Sequence, residues 1–132
     1  VKEKQHMELS VGAIQYLWRQ RLNMEQKREQ QKEKDKAFLR KYRLRLRMEI
    51  LLLLGNKCSN PNCLVPNGCM DSRCLQIDHV NGGGAKEIRK FHCGASFYLR
   101  VIDKIKSGSK DYQLLCANCN WIKRVENGEI RT

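Results

Sequence analysis

The hydrophobic positions divide the chain into two regimes. Ile14, Leu17, Trp18 and Leu22 recur at helical spacing, and steps of three and four link Leu39, Tyr42, Leu46, Ile50 and Leu53. That period predicts an amphipathic helix. Between the two stretches, residues 25–36 (EQKREQQKEKDK) hold nothing apolar. A helix there is solvated on every side, and disorder is the alternative reading. Gly12 is the only glycine of residues 1–54, and no proline interrupts them; Glu, Gln, Lys, Arg, Leu and Met dominate. These are good helix formers. Gly55 then stands where a helix C′ residue belongs. The pattern predicts one long helix, or two with a hinge, over residues 1–54, packing on the C-terminal domain through Leu51–Leu54.

From Gly55 the pattern breaks up. Gly, Asn, Pro and Cys cluster between residues 55 and 69, which marks irregular, turn-rich structure. Leu75, Ile77 and Val80 predict a short strand ending at Asn81 before Gly82-Gly83-Gly84. Residues 95–106 (ASFYLRVIDKIK) predict a helix with Phe97, Val101 and Ile105 on one side. Tyr112–Leu115 is a short apolar segment, and Cys116 to about Arg124 reads as a turn entering a helix. Tyr98 and Trp121 read as packing residues. The expected fold class is α+β: a helical arm over residues 1–54, then a small zinc-containing domain over residues 55–132.

Charge adds a class of partner. The 132 residues carry a formal net charge of +12. Residues 1–54 hold 14 basic and 7 acidic side chains, and residues 55–132 hold 12 and 7. Both parts are therefore suited to a polyanion, with nucleic acid the first candidate. Residues 40–47 (RKYRLRLR) concentrate this excess: Arg40, Lys41, Arg43, Arg45 and Arg47, with no acid among them. On a helix, Arg40, Arg43 and Arg47 share one face that suits a phosphate backbone; a plain solvated stripe is the alternative. An acidic membrane surface is the second candidate; no apolar run approaches membrane-spanning length, and the expected partner is nucleic acid with no membrane. The mixed Glu, Gln and Lys of the polar stretch also suit helix–helix pairing, through which a homodimer or a protein partner is expected.

All seven cysteines follow residue 57. An odd count without a signal-peptide pattern favours metal ligation in a reducing compartment over a disulfide framework. The expected location is the cytoplasm, of a bacterial or phage-infected cell first, with an organelle as the alternative. Cys116-Ala-Asn-Cys119 is a C-x2-C pair, and a tetrahedral zinc site needs two more ligands. Cys58/Cys63 and Cys69/Cys74 are both C-x4-C. Cys58 and Cys63, beside Pro61 and directly after the helix, are preferred; Cys69 in place of either is the alternative. A second zinc held by Cys69, Cys74, His92 and Cys93 is less favoured. Four protein ligands leave no open position, so this zinc is expected to be structural.

Asp78-His79 ends the predicted strand, and Asn120 follows the second cysteine of the C-x2-C pair. Asp78 and Asn120 offer hard oxygen ligands suited to Mg2+ or Mn2+. His79 is a candidate proton acceptor for water attacking a phosphodiester. Lys123, one helical turn beyond Asn120, is a candidate phosphate contact. Gly82–Gly84 either bring the backbone close to DNA or form a plain turn.

LQIDHVNGGG (75–84) and YQLLCANCNWIKR (112–124) resemble the HNH endonucleases and their ββα-metal fold. The likeness is greatest to the subgroup whose last His is replaced by Asn, as in some phage junction-resolving nucleases. LLLLGNKC (51–58) is similar to the helix and first zinc cysteine of such domains, so the resemblance covers about residues 50–125. It implies that Asp78 and Asn120 hold the catalytic ion, that His79 is the general base, and that Cys58, Cys63, Cys116 and Cys119 hold zinc. Asp111 stands where the middle Asn often falls, a departure for which Asn81 is a substitute, and the first C-x4-C is longer than the usual C-x2-C. The expected function is a metal-dependent endonuclease acting on DNA, branched or structured DNA included, ahead of RNA. A non-catalytic DNA- or RNA-binding module within a larger assembly is the alternative.

Overall fold

The computed structural model describes residues 9–130. In chain order the elements are helix α1 (Val11–Leu53), strand β1 (Leu75–His79), helices α2 (Gly84–Ile88) and α3 (Gly94–Lys106), strand β2 (Tyr112–Cys116) and helix α4 (Ala117–Glu126). The chain divides into two compact units, one ending at Leu39 and the other starting at Arg40. No described helix is long and apolar enough to cross a membrane.

The first unit is the leading part of α1. Ser10 caps it: its Oγ accepts from the Ala13 N–H at 3.2 Å, and its carbonyl accepts from the Ile14 N–H. The apolar-free run 25–36 is helical throughout. Local pairs support it, among them Arg21–Glu25, Lys32–Glu29 and Lys36–Glu33. Each contributes only a few tenths of a kcal/mol. Ile14, Leu17, Trp18 and Leu22 keep their helical spacing, but all four are exposed.

The second unit begins within the same helix, so its core takes in the last turns of α1. Leu46, Ile50 and Leu51 are buried there. The expected stripe is thus narrower than its spacing suggests: Leu39 and Leu53 are exposed, and of Leu51–Leu54 only Leu51 is buried and Leu54 half-buried. A helix touching its neighbour through a narrow seam buries one position in three or four. The run LLLL therefore overfills the seam, and Leu52 stays 66% exposed. Gly55, at φ 92°, ends α1 in the left-handed conformation. The Asn56 N–H then reaches back to the Leu51 carbonyl and the Gly55 N–H to the Leu52 carbonyl. This is a Schellman termination, and it satisfies carbonyls that the helix end would orphan.

β1 and β2 pair antiparallel, with Leu75 opposite Cys116, Ile77 opposite Leu114, Asp78 opposite Gln113 and His79 opposite Tyr112. Two clusters flank this ribbon. One joins Leu46, Ile50, Phe97, Val101, Ile102 and Tyr112, binding α1 and α3 to the strands. The other joins Leu51, Leu75, Leu114 and Leu115 to Cys58, Cys69, Cys116 and Cys119. Arg47 contributes here: its guanidinium donates to the carbonyls of Ser72 (2.8 Å) and Leu75 (2.6 Å), tying α1 to the entry of β1.

Ile50→Ala is expected to lower the unfolding free energy by about 2–5 kcal/mol, the usual cost of emptying a fully buried aliphatic site. Leu52→Ala, two positions on in the same helix, is expected to change it by no more than about 0.5 kcal/mol. Denaturant unfolding of the two zinc-loaded variants measures the contrast.

Candidate functional site

Local turns position the cysteines of the constellation. The Cys63 N–H bonds the Asn60 carbonyl and the Cys58 N–H bonds the Cys69 carbonyl, curling residues 58–69 into a knuckle. Cys116 ends β2 and Cys119 lies in the first turn of α4. The thiols of Cys58, Cys63, Cys116 and Cys119 all lie within 4.8 Å of one another. Cys63 Sγ and Cys116 Sγ are 3.9 Å apart. Four sulfurs at about 2.3 Å from a tetrahedral zinc are separated by about 3.8 Å, whereas a disulfide requires about 2.05 Å. The spacing therefore suits zinc, and all seven cysteines are free thiols.

Hydrogen bonding around the sulfurs has the same character. The Cys116 N–H donates to Cys58 Sγ at 3.3 Å and the Asn60 amide donates to Cys119 Sγ at 3.2 Å. Backbone N–H groups of Val65 and Cys69 hold the Cys63 thiol down at about 7, while burial pushes the Cys119 thiol up to about 12. A divalent cation at the centre of the four sulfurs would offset that burial cost and hold them as thiolates. Cys69 does not join the four: it is buried beside them and contributes its backbone carbonyl to Cys58. Cys74 is exposed and lends its carbonyl to the Ala117 N–H. Cys93 is exposed at the N-terminus of α3, its thiol 3.2 Å from Ser96 Oγ, and His92 is exposed. Among the described residues no second group of three or more such ligands gathers.

This staple fixes α4 against the ribbon, and α4 then meets β1. Asp78, His79 and Asn120 line one cleft of about 250 Å3, together with Gly82–Gly84 and Arg124. Their bonding within it is specific. Asp78 Oδ2 accepts from Lys123 Nζ at 2.5 Å and from Gln113 Nε2 at 2.8 Å, so both of these bonds fall on one carboxylate oxygen. Lys123 also donates to the His79 carbonyl. Asn120 Nδ2 donates to Gln76 Oε1 at 2.7 Å. Lys123, read from the sequence as a phosphate contact, thus places its ammonium on Asp78.

His79 is held by residues that no sequence motif singled out. Its Nε2 lies 2.5 Å from Glu87 Oε2, and both side chains are largely buried. A carboxylate only accepts, so Nε2 carries the proton and Nδ1 is the basic nitrogen. Glu87 in turn receives the Tyr112 hydroxyl on both oxygens and Lys104 Nζ on Oε1. Burial pushes the Glu87 carboxyl up, but the bonds from His79, Tyr112 and Lys104 outweigh it and hold the carboxyl down at about 2. Nδ1 faces Gly84, where an added Cβ would lie 2.6 Å from it. Only glycine leaves that nitrogen uncovered.

The place of Asp111 also becomes intelligible. Its backbone carbonyl accepts the Val80 N–H at 2.8 Å, closing the loop after His79. Its side chain is exposed, 4.0 Å from Lys104. Backbone geometry does the holding, which Asp supplies as well as Asn. Of the basic stretch in the second unit, Arg40, Lys41, Arg43 and Arg45 are exposed, whereas Arg47 is directed at the Ser72 and Leu75 carbonyls.

Fold and site together define a small ββα module, an antiparallel strand pair followed by a helix, with a four-cysteine cluster suited to structural zinc. Compared with known proteins, no family model, no curated protein and no solved structure matches the chain.

The protein as purified is expected to bind one zinc ion per chain, by elemental analysis. Cys116→Ser or a strong chelator is expected to abolish binding and to collapse the near-ultraviolet signal of the second unit, because this core relies on its ligands. Gly84→Ala is expected to destabilise by about 1–3 kcal/mol, as overpacking does, and to displace the His79 ring, which histidine NMR shifts report.

Proposed function

We propose that the chain is a metal-dependent endonuclease of the HNH type that hydrolyses DNA phosphodiester bonds. One observation carries this reading: Asp78, His79 and Asn120 line a single cleft, with the His79 tautomer set by Glu87. Packing alone requires no such combination. The motifs around residues 75–84 and 112–124, which resemble the HNH endonucleases, support it as well.

In this reading a phosphodiester enters the cleft beside the glycine turn. His79 Nδ1 takes the proton from the attacking water, and Glu87 stabilises the imidazolium that results. Tyr112 and Lys104 keep Glu87 in place for that task. The oxygens of Asp78 and Asn120 would hold Mg2+ or Mn2+, whose charge offsets that developing on the phosphate and leaving oxygen. A carboxylate and an amide oxygen are the donor types a hard cation takes, and Lys123 would yield its place on Asp78 to the ion. Arg40, Lys41, Arg43 and Arg45 supply attraction to the phosphate backbone. The exposed apolar residues Ile14, Leu17, Trp18 and Leu22 offer a surface for a protein partner or a second copy.

A second reading, a DNA- or RNA-binding module without catalysis, draws on a different observation. Asp78 Oδ2 is satisfied by Lys123 and Gln113, and the Asn120 amide by Gln76.

Supercoiled plasmid incubated with protein and Mg2+ or Mn2+ separates the two. The endonuclease reading predicts nicked or linear product, lost by about 10²–10⁴-fold in His79→Ala with zinc content retained. Glu87→Gln is expected to lower kcat by about tenfold or more with little change in KM, because it disturbs the tautomer rather than binding. Salt-sensitive DNA binding with no metal-dependent cleavage would establish the second reading instead.

A further inference from the structure

Beside the cleft lies a larger groove, of about 520 Å3, that the hydrolytic chemistry does not use. We propose that it receives an unstacked nucleobase of the strand whose phosphate occupies the cleft; this rests on the nucleic-acid reading above. The groove and the cleft share Ile77, Ile88 and Phe97 as walls, so the two lie side by side. Gln76 links them again, lining the groove while its Oε1 accepts from Asn120.

The lining suits a base. Phe91, Phe97 and Tyr98 form an aromatic wall, with ring centroids 5.9 Å apart for Phe91–Phe97 and for Phe97–Tyr98. Phe97 is buried, but Phe91 and Tyr98 are only half-buried and keep ring surface open to the groove. A groove of this volume that sets a few polar groups, Gln76 and His92 among them, against apolar and aromatic walls is the ordinary form of a site for a flat organic ligand. Its surroundings suit the phosphates on either side of that base. Arg43 packs at Gly94, its Cδ 3.4 Å from where a Cβ would lie, and Gly94 lines the groove. Arg89 and Lys90 stand between the lining residues Ile88 and Phe91, and no acidic residue occurs from Ile88 to Ile102. Aromatic wall and cationic rim together are the usual elements of a single-strand site, in which bases stack and phosphates are neutralised.

The test compares three labelled oligonucleotides of equal length: a single strand, the same strand with abasic sites throughout its centre, and a duplex. Binding is followed by fluorescence polarisation with the zinc-loaded full chain and no added Mg2+ or Mn2+. The single strand is expected to bind about tenfold tighter than the abasic strand, a difference that stacking of one base supplies. Phe91→Leu, which keeps apolar volume but removes the ring, and Tyr98→Ala are each expected to erase most of that difference while leaving duplex and abasic binding unchanged. Zinc content and circular dichroism establish that the variants fold. Equal affinity for the base-bearing and abasic strands would overturn the proposal, as would variants that weaken all three ligands alike. Because no metal for hydrolysis is added, the outcome is independent of cleavage. A plasmid-nicking protein without base preference loses the groove assignment and keeps the endonuclease reading, and the converse result does the reverse.

Discussion

The second unit depends on one constraint: four thiolates from two distant stretches must meet at one point. Cys58 and Cys63 come from the knuckle after α1, and Cys116 and Cys119 from the junction of β2 and α4. Without that junction little holds α4. Its only buried residue is Cys119 itself, and Trp121 and Ile122 are exposed. A helix of ten residues with so small an apolar contribution is not stable by propensity. Zinc ligation by the four-cysteine cluster would replace the missing hydrophobic burial, at the helix that carries Asn120 and Lys123.

The consequences run outward from there. Once α4 is docked, Lys123 reaches Asp78 and the His79 carbonyl, and Asn120 reaches Gln76, so two polar rungs stitch α4 to β1. From the other side α2 brings Glu87 under His79, with Tyr112 of β2 and Lys104 of α3 fixing the carboxylate. His79 is thus positioned by a network that is buried on one side and open on the other. Such a network is strong only when every member is satisfied, and among the described residues no buried side-chain polar atom lacks a partner.

Much of this was legible in the sequence because the signals were local. Good helix formers, the Gly55 stop, the alternation through Leu75 and Ile77, and the C-x2-C pair each report on a few adjacent residues. The choice of Cys58 and Cys63 over Cys69 was legible for the same reason, since the knuckle turns at Asn60 and Pro61. What escaped was non-local. Glu87 sits in a helix of five residues, too short to show a period, and its meaning comes from three partners on other elements. Tyr112 read as one more residue of a short apolar segment, though the register that sets it opposite His79 gives its hydroxyl a task. Spacing alone likewise did not tell which leucines of 51–54 face inward, nor that Arg47 is turned toward two carbonyls while Arg43 and Arg45 are exposed.

The account stands on the four-sulfur centre, and X-ray absorption at the zinc edge of the metal-loaded protein tests it most directly. The prediction is a single first shell of four sulfurs at about 2.3 Å, unchanged in Cys69→Ser and Cys74→Ser. A shell containing nitrogen or oxygen, or one altered by either substitution, would contradict the staple and the placement of α4 that rests on it.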